Sequence, residues 1–133
     1  IKALAGADRI TVNDLSGTDV RGVFLDLASG GAADGAADTV VVDGTAGDDV
    51  IQVFSYGDTV VVSGLTAEVT ISGFDAGDTL VINGLNGNDV IEASGLGVGL
   101  RLLASGGDGD DVLIGGPGID LLFGGLGDNI LIA

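Results

Sequence analysis

GGDGDDVLI (residues 106–114) is followed directly by GGPGIDLLF (115–123) and GGLGDNILI (124–132). Each nonapeptide begins with two glycines, has a third glycine at position four, Asp or Asn at position six and leucine at position eight. Self-similarity at a fixed period indicates one small structural unit repeated along the chain. The chain is therefore expected to be a repeat protein.

Looser copies of the unit lie upstream. DTVVVDGTAGDDVI (38–51) and DTLVINGLNGNDVI (78–91) agree at eight of fourteen positions, and DRITVNDLSGTDV (8–20) resembles the second of them. DTVVVSGL (58–65) fits the same start halfway between the two longer copies. The pattern predicts a unit of about 20 residues.

Short runs rich in Val, Ile and Thr, bounded by Gly, Asp, Asn and Ser, indicate β-strands, and no sustained helical period occurs. We expect an all-β fold, a parallel β-solenoid of the right-handed β-roll type with about 6–7 coils and two strands per coil. Residues 1–104 would form degenerate coils with a longer loop near 29–38. Residues 105–133 would form the glycine-rich repeats of the same continuous domain.

Side chains alternate between the two faces of a strand, so one set of aliphatic residues should fill the space between the two sheets. The predicted core consists of Val40, Val42, Val60, Val62, Leu80, Ile82, Ile91, Leu113 and Leu122. The neighbouring positions should point outward, and near the C-terminal end these hold Val112, Ile114, Leu121, Phe123, Ile130 and Ile132. That apolar exterior predicts self-association through the C-terminal coils. The alternative is a chain boundary that leaves out a natural cap.

Composition excludes several classes of function. The 133 residues have a formal net charge of −16, which repels nucleic acid phosphates and favours cations. The sequence contains neither His nor Cys, so imidazole and thiolate metal sites and Ser-His or Cys-His nucleophiles are excluded. No apolar run approaches the roughly 18 residues of a membrane span, so no membrane insertion is expected.

The glycine loops suit calcium for a physical reason. Ca²⁺ takes six to eight oxygen ligands, and a glycine-rich loop can turn backbone carbonyls inward while an aspartate supplies charge. One loop offers too few oxygens, but two stacked loops can surround one ion. The reading without metal is that Asp and Asn cap backbone amides at glycine-rich corners.

The three nonapeptides resemble the hemolysin-type calcium-binding repeat of RTX proteins, whose pattern is G-G-x-G-x-D-x-U-x with U a large apolar residue. The resemblance implies Ca²⁺ bound by the sixth-position side chain and by loop carbonyls. The residues it assigns to calcium are Asp111, Asp89, Asp120, Asn129, Asp128, Asp108, Gly107, Gly109, Gly116, Gly118, Gly125 and Gly127.

Two departures from the pattern make some of these positions weaker candidates for calcium ligands than others. Asn129 replaces the usual Asp, and the Asp120 loop stacks on residues 94–98, which offer no acid. One edge is better supplied, because Asp89, Asp111 and the pair Asp128 and Asn129 fall in successive coils. Asp8, Asp38, Asp58 and Asp78 are interpreted as turn formers that bond their own backbone.

The expected function is a calcium-binding module of a larger secreted bacterial protein, folding outside the cell as extracellular calcium binds. The resemblance also implies a Gram-negative source and type I secretion to the medium or cell surface. The alternatives are a self-associating solenoid of a surface filament or adhesin, and a calcium module attached to a carbohydrate-active enzyme. The chain itself is expected not to be an enzyme, since Glu68 and Glu92 are its only glutamates and Tyr56 is its only tyrosine.

Overall fold

The computed structural model of this chain describes residues 1–97 and 99–133. Residue 98, the last of the predicted loop 94–98, lies outside the described residues. Within these ranges the chain forms twelve β-strands and no helix, which confirms the all-β expectation. The strands are β1 (Arg9–Val12), β2 (Gly22–Asp26), β3 (Thr39–Asp43), β4 (Val50–Tyr56), β5 (Thr59–Ser63), β6 (Glu68–Ser72), β7 (Thr79–Asn86), β8 (Val90–Gly95), β9 (Arg101–Asp108), β10 (Val112–Ile114), β11 (Asp120–Leu126) and β12 (Ile130–Ile132).

These strands form two sheets. Sheet I has the order β1-β3-β7-β9-β11 and all its pairings are parallel. Sheet II has the order β12-β10-β8-β4-β5-β6-β2. From β7 to β12, successive strands lie alternately in sheet I and sheet II. We call a strand of sheet I together with the following strand of sheet II a layer, so that β7–β8, β9–β10 and β11–β12 are adjacent layers.

Sheet II is mixed, because β5 pairs antiparallel with both β4 and β6. The prediction that the strands run parallel throughout the chain is therefore wrong in this region. The physical reason is the connection between β4 and β5, which consists of Gly57 and Asp58 alone. Two residues reverse the chain into a hairpin, whereas a parallel neighbour needs a longer crossover. Gly57 has a φ of +59°, which glycine adopts without strain.

The hairpins also change the repeat length. Thr39 pairs with Thr79 and Val40 with Leu80, so β3 stacks directly on β7 across 40 residues. The predicted 20-residue coil is wrong here, since the intervening residues are the two extra strands β5 and β6 of sheet II. In the described chain, sheet I accordingly has five strands where the repeat predicts six to seven coils.

The core lies between the two sheets. Eight of the nine predicted core residues are buried there, and Leu122 is partly buried against the same cluster. Further core residues include Leu25, Ile51, Ile71, Leu96 and Leu102. Alternation along the strands explains the result, because residues two apart point to the same side of the sheet.

The outer faces carry the opposite set of side chains. Leu121, Phe123, Ile130 and Ile132 are each about half exposed. Val112 and Ile114, predicted to point outward with them, are half-buried. The apolar exterior of this end is thus strongest on β11 and β12.

Residues 27–38, which include the whole of the longer loop predicted near 29–38, connect β2 of sheet II to β3 of sheet I. Ser29 and Ala32 form a backbone bridge within this connection. Nowhere in the described ranges is there a helix of the length and apolarity needed to span a bilayer.

The antiparallel hairpin can be tested by cross-linking, because the natural sequence has no cysteine. Gln52 faces Ser63 across β4 and β5. We expect the double variant Gln52→Cys with Ser63→Cys to form an intramolecular disulfide on mild oxidation, since directly opposed residues lie within bonding reach. Digestion and mass spectrometry would identify the linked peptides.

The matched control pairs Gln52→Cys with Thr59→Cys. Thr59 pairs with Tyr56, four residues along β4 from Gln52, which places the two sulfurs about 13 Å apart along the strand. Equal cross-linking of both pairs, or none of the first, would contradict the hairpin.

Candidate metal centre

Four glycine loops stack on one edge of the molecule, which we call the first edge. They have the sequences GTAGDD (44–49), GLNGND (84–89), GGDGDD (106–111) and GGLGDN (124–129). Each carries the chain from a strand of sheet I to the next strand of sheet II. Because the flanking strands pair in parallel, equivalent loop positions of successive layers lie beside one another.

Sixth-position side chains join these layers. The backbone N–H of Asp49 donates to Asp89 Oδ1 over 2.8 Å, and the N–H of Asp89 donates to Asp111 Oδ1 over 2.8 Å. The N–H of Asp111 then donates to Asn129 Oδ1, again over 2.8 Å. Each side chain thus binds the backbone of the preceding layer, and we call this series the inner ladder.

Fifth-position side chains form a second series, the outer ladder, in the opposite direction. The N–H of Asn88 donates to Asp48 Oδ1 over 2.8 Å, and the N–H of Asp110 donates to Asn88 Oδ1 over 2.9 Å. The N–H of Asp128 donates to Asp110 Oδ1 over 2.8 Å. These side chains lie at the surface. The alternative without metal, in which Asp and Asn cap backbone amides, therefore describes the outer ladder well.

Two carboxylate oxygens of the inner ladder have no hydrogen-bond partner. Asp89 and Asp111 are both 0% exposed, and the Oδ2 atom of each is buried without a hydrogen-bond partner. Asp49 differs, because its Oδ2 accepts the N–H of Thr45 over 2.6 Å. A buried carboxylate oxygen that lacks a donor or a cation is costly, on the order of 1–3 kcal/mol or more. Capping of backbone amides therefore accounts for only one of the two carboxylate oxygens of Asp89 and of Asp111.

The surroundings of Asp89 disfavour its charged form. Burial raises the pKa of Asp89 above the usual range, and the negative charges of Asp49, Asp111 and Asp48 raise it further. The hydrogen bond from the Asp49 N–H opposes this rise by stabilising the carboxylate. A bound cation would relieve both the burial and the repulsion.

Backbone carbonyls approach the unpaired oxygens. A methyl group on Gly106 would overlap Asp111 Oδ2 and would lie 2.6 Å from the carbonyl oxygen of Gly124 in the next layer. A methyl group on Gly84 would likewise overlap Asp89 Oδ2 and lie 2.5 Å from the Gly106 carbonyl oxygen. Carboxylate and carbonyl oxygens of two layers therefore converge beside a glycine. This oxygen-only donor set fits Ca²⁺.

The predicted ligands do not all lie together in the structure. Asp89, Asp111 and Asn129 lie together in the inner ladder. Asp108 and Asp128 are exposed beside it, and Asp128 takes part in the outer ladder through its N–H. Sequence reasoning missed the first glycines of the loops, Gly84, Gly106 and Gly124, although the constant first position of the repeat was a signal for them.

The predicted glycines Gly107, Gly109, Gly125 and Gly127 all have positive φ angles. Gly109 has a φ of +145°, and a methyl group there would overlap the Gly87 carbonyl of the layer below. Gly127 packs in the same way on the Gly109 carbonyl. Their role in the structure is close backbone stacking, which brings the layers near enough to share ligands.

Asp120, Gly116 and Gly118 lie at the opposite edge of the sheets. The N–H of Gly116 donates to Asp120 Oδ2 over 2.7 Å, and Asp120 Oδ1 is buried without a partner. Gly116 packs against the carbonyl oxygens of Ala93 and Leu96. Asp120 is thus held by its own loop, apart from the inner ladder.

In the described parts of the chain, no three acidic side chains come close enough together to hold a metal ion. A cation at the first edge would accordingly need carbonyl oxygens beside the carboxylates. Asp89, Asp111 and the carbonyls of Gly106 and Gly124 are the groups placed to provide them.

Comparison with known proteins agrees with this geometry. The family model described as the RTX calcium-binding nonapeptide repeat, in four copies, matches residues 105–133. Searches of curated proteins and of solved structures find no match to the chain. The matched segment contains the loops of Asp111 and Asn129 and the strands that stack them. Residues 105–133 are therefore identified as RTX calcium-binding nonapeptide repeats.

Proposed function

We propose that the chain is a calcium-binding β-roll module of a larger secreted protein, stabilised by extracellular calcium. The observation that carries the proposal is the pair of buried, unpaired oxygens, Asp89 Oδ2 and Asp111 Oδ2, in successive layers. They lie beside carbonyl oxygens of the next layer, in loops that adjoin or belong to the RTX repeat. Crossovers between parallel strands of one sheet are right-handed in nearly all proteins, which supports a right-handed roll.

Calcium would act by neutralising the inner ladder. When bound, the ion supplies two positive charges to oxygens that the protein leaves without donors. Asp89 and Asp111 would provide the charge, while the carbonyls of Gly106 and Gly124 would link the ion to the neighbouring layers. Without it, the net charge of −16 and the buried carboxylates oppose compaction. Binding and folding are therefore coupled.

This coupling favours a role outside the cell. Extracellular calcium modules bind with dissociation constants of about 10⁻⁴ to 10⁻³ M, well above cytosolic calcium. A chain of this kind would stay unfolded during export and fold on arrival. The likeness to RTX repeats supports type I secretion from a Gram-negative bacterium as the route. We also infer a binding role without catalysis, since the sequence lacks His and Cys and has a single tyrosine.

A second candidate function is self-association through the C-terminal layers. The outward side chains of β11 and β12 include Leu121, Phe123, Ile130 and Ile132, each about half exposed. Apolar side chains exposed on the outer faces of both sheets at one end of the molecule favour an interface. The occupant would be a second copy, as in a filament or adhesin.

The calcium proposal predicts different behaviour for two adjacent aspartates. Asp111→Asn keeps an oxygen for the Asp89 N–H, as Asn129 does for Asp111, but removes the buried charge. We expect it to abolish the part of the calcium-dependent rise in Tm that comes from the first edge. At calcium ten times above Kd, each site contributes about 1.4 kcal/mol to the free energy of unfolding. Thermal unfolding with EDTA and with calcium, together with calorimetric titration, measures this.

Asp110→Asn is the matched control. It makes the same charge change one residue away, at the surface, and Asn88 already fills the equivalent position of the preceding layer. This variant should keep the full response to calcium. Absence of binding by the natural chain at about 10 mM calcium, or equal losses in both variants, would contradict the proposal.

The association candidate predicts that the apparent mass grows with protein concentration. Phe123→Ser with Ile132→Ser should abolish that growth, because both changes make exposed apolar positions polar. Light scattering over a concentration series in calcium is the measurement. A natural chain that stays monomeric at all concentrations would rule this candidate out.

A further inference from the structure

A second ladder of aspartates lies at the edge opposite to the first, where Asp8, Asp38 and Asp78 immediately precede β1, β3 and β7. The N–H of Asp8 donates to Asp38 Oδ1, and the N–H of Asp38 donates to Asp78 Oδ1, both over 2.8 Å. The interpretation that these aspartates bond their own backbone is thus wrong for Asp38, whose side chain binds the preceding layer. Asp78 bonds both the preceding layer and the backbone of its own turn. The arrangement matches the inner ladder at the first edge.

Asp38 has an unpaired oxygen. Asp38 is only 2% exposed, and its Oδ2 atom is buried with no hydrogen-bond partner. Asp8 Oδ2, in the adjacent layer, is buried and unpaired as well. Two successive layers therefore each present one bare carboxylate oxygen, as Asp89 and Asp111 do at the first edge.

The neighbouring Asp78 shows what a satisfied carboxylate at this edge looks like. Its Oδ2 accepts the N–H of Asp75, three residues earlier, over 2.8 Å. Asp34 stands four residues before Asp38, and its carboxylate instead accepts the N–H groups of Gly6 and Ala36. No equivalent donor reaches Asp38 Oδ2, so the turn chemistry that completes Asp78 leaves Asp38 incomplete.

Protein cations do not fill the gap. Among the residues that the structure describes, Lys2 and Asp26 form an ion pair at 3.7 Å, and no Lys or Arg side chain pairs with Asp8 or Asp38. Arg9 and Arg101 begin strands at this edge, but within the described ranges neither forms an ion pair with the ladder. Two more acids, Asp34 and Asp75, bind the N–H groups of Gly6 and Gly35 in the adjoining loop segments. A buried carboxylate without a paired cation is energetically costly, so a cation from solution would stabilise it.

We propose that Asp8 and Asp38 hold a second calcium ion, at the edge opposite to the RTX loops. The ligand chemistry is carboxylate oxygen from two successive layers, completed by backbone carbonyls and water. Hard oxygen donors with no nitrogen or sulfur select Ca²⁺ over transition metals. The site lies outside residues 105–133 and would bind independently of Asp111.

Asp38→Asn tests the site in the full chain. Asn keeps an oxygen for the Asp8 N–H, as Asn129 does at the first edge, and removes the buried charge. Calorimetric titration with CaCl₂ should show one fewer calcium ion bound per chain, and the rise in Tm between EDTA and calcium should shrink. In EDTA alone the variant should be at least as stable as the natural chain, because a buried unpaired charge is gone.

Asp58→Asn is the matched control, because Asp58 and Asp38 both open the sequence DTVVV, but Asp58 lies exposed in the β4–β5 turn. It should leave stoichiometry and Tm shift unchanged. Asp111→Asn should retain the Asp38-dependent binding. Asp8→Asn, at the less buried residue, should reproduce the loss seen with Asp38→Asn and guards against a folding defect in that variant.

Each contrary result has a distinct meaning. Unchanged stoichiometry in Asp38→Asn and Asp8→Asn, with binding lost in Asp111→Asn, overturns the second site and leaves the first intact. Equal destabilisation of Asp38→Asn in EDTA and in calcium assigns the residue a purely structural role and also overturns it. No calcium binding by the natural chain overturns both sites together.

Discussion

A side-chain oxygen that accepts a backbone N–H from the neighbouring layer is the contact on which this structure depends. At the first edge the inner ladder passes through Asp89 and Asp111, and the outer ladder runs the other way through Asn88 and Asp110. Because every donor is a backbone atom, the contacts fix how closely the loops stack. Close stacking in turn requires glycine where backbones touch, as at Gly109. The acid positions and the glycine positions of the repeat are thus parts of one constraint.

The same contact creates the electrostatic problem that a cation would solve. Each inner carboxylate uses one oxygen for an amide, and Asp89 and Asp111 keep a second oxygen buried and bare. Repeating a layer repeats the acid, so charge accumulates along the stack, and burial raises the pKa of Asp89 in its middle. Asn129 and Asn88 show that an amide can make the ladder contact. The presence of aspartate, rather than asparagine, at the buried positions therefore favours a role in cation binding beyond the hydrogen bond.

The hairpins β4–β5 and β5–β6 show how the ladders tolerate an insertion. They widen sheet II, while β3 and β7 remain adjacent in sheet I, so the loops at 44–49 and 84–89 still meet. Asp49 and Asp89 consequently stay in hydrogen-bond contact across 40 residues. At the opposite edge, Asp38 and Asp78 do the same. Extra residues are accepted where they add strands to one sheet and leave the loop stacking alone.

The sequence by itself determined the all-β class, the alternating core and the glycine-acid period of the loops, since each follows from residues close together in the chain. Eight of nine predicted core residues are buried for that reason. Only the tertiary structure decided the direction of β5, because DTVVV reads the same after Asp38 and after Asp58, while the two-residue turn at Gly57 reverses the chain. It alone also decided the partners of Asp8, Asp38 and Asp78, whose contacts join residues 30 and 40 positions apart. The local sequence pattern identifies the aspartate side chain that accepts the hydrogen bond, but the backbone N–H that donates it comes within reach only when the layers stack.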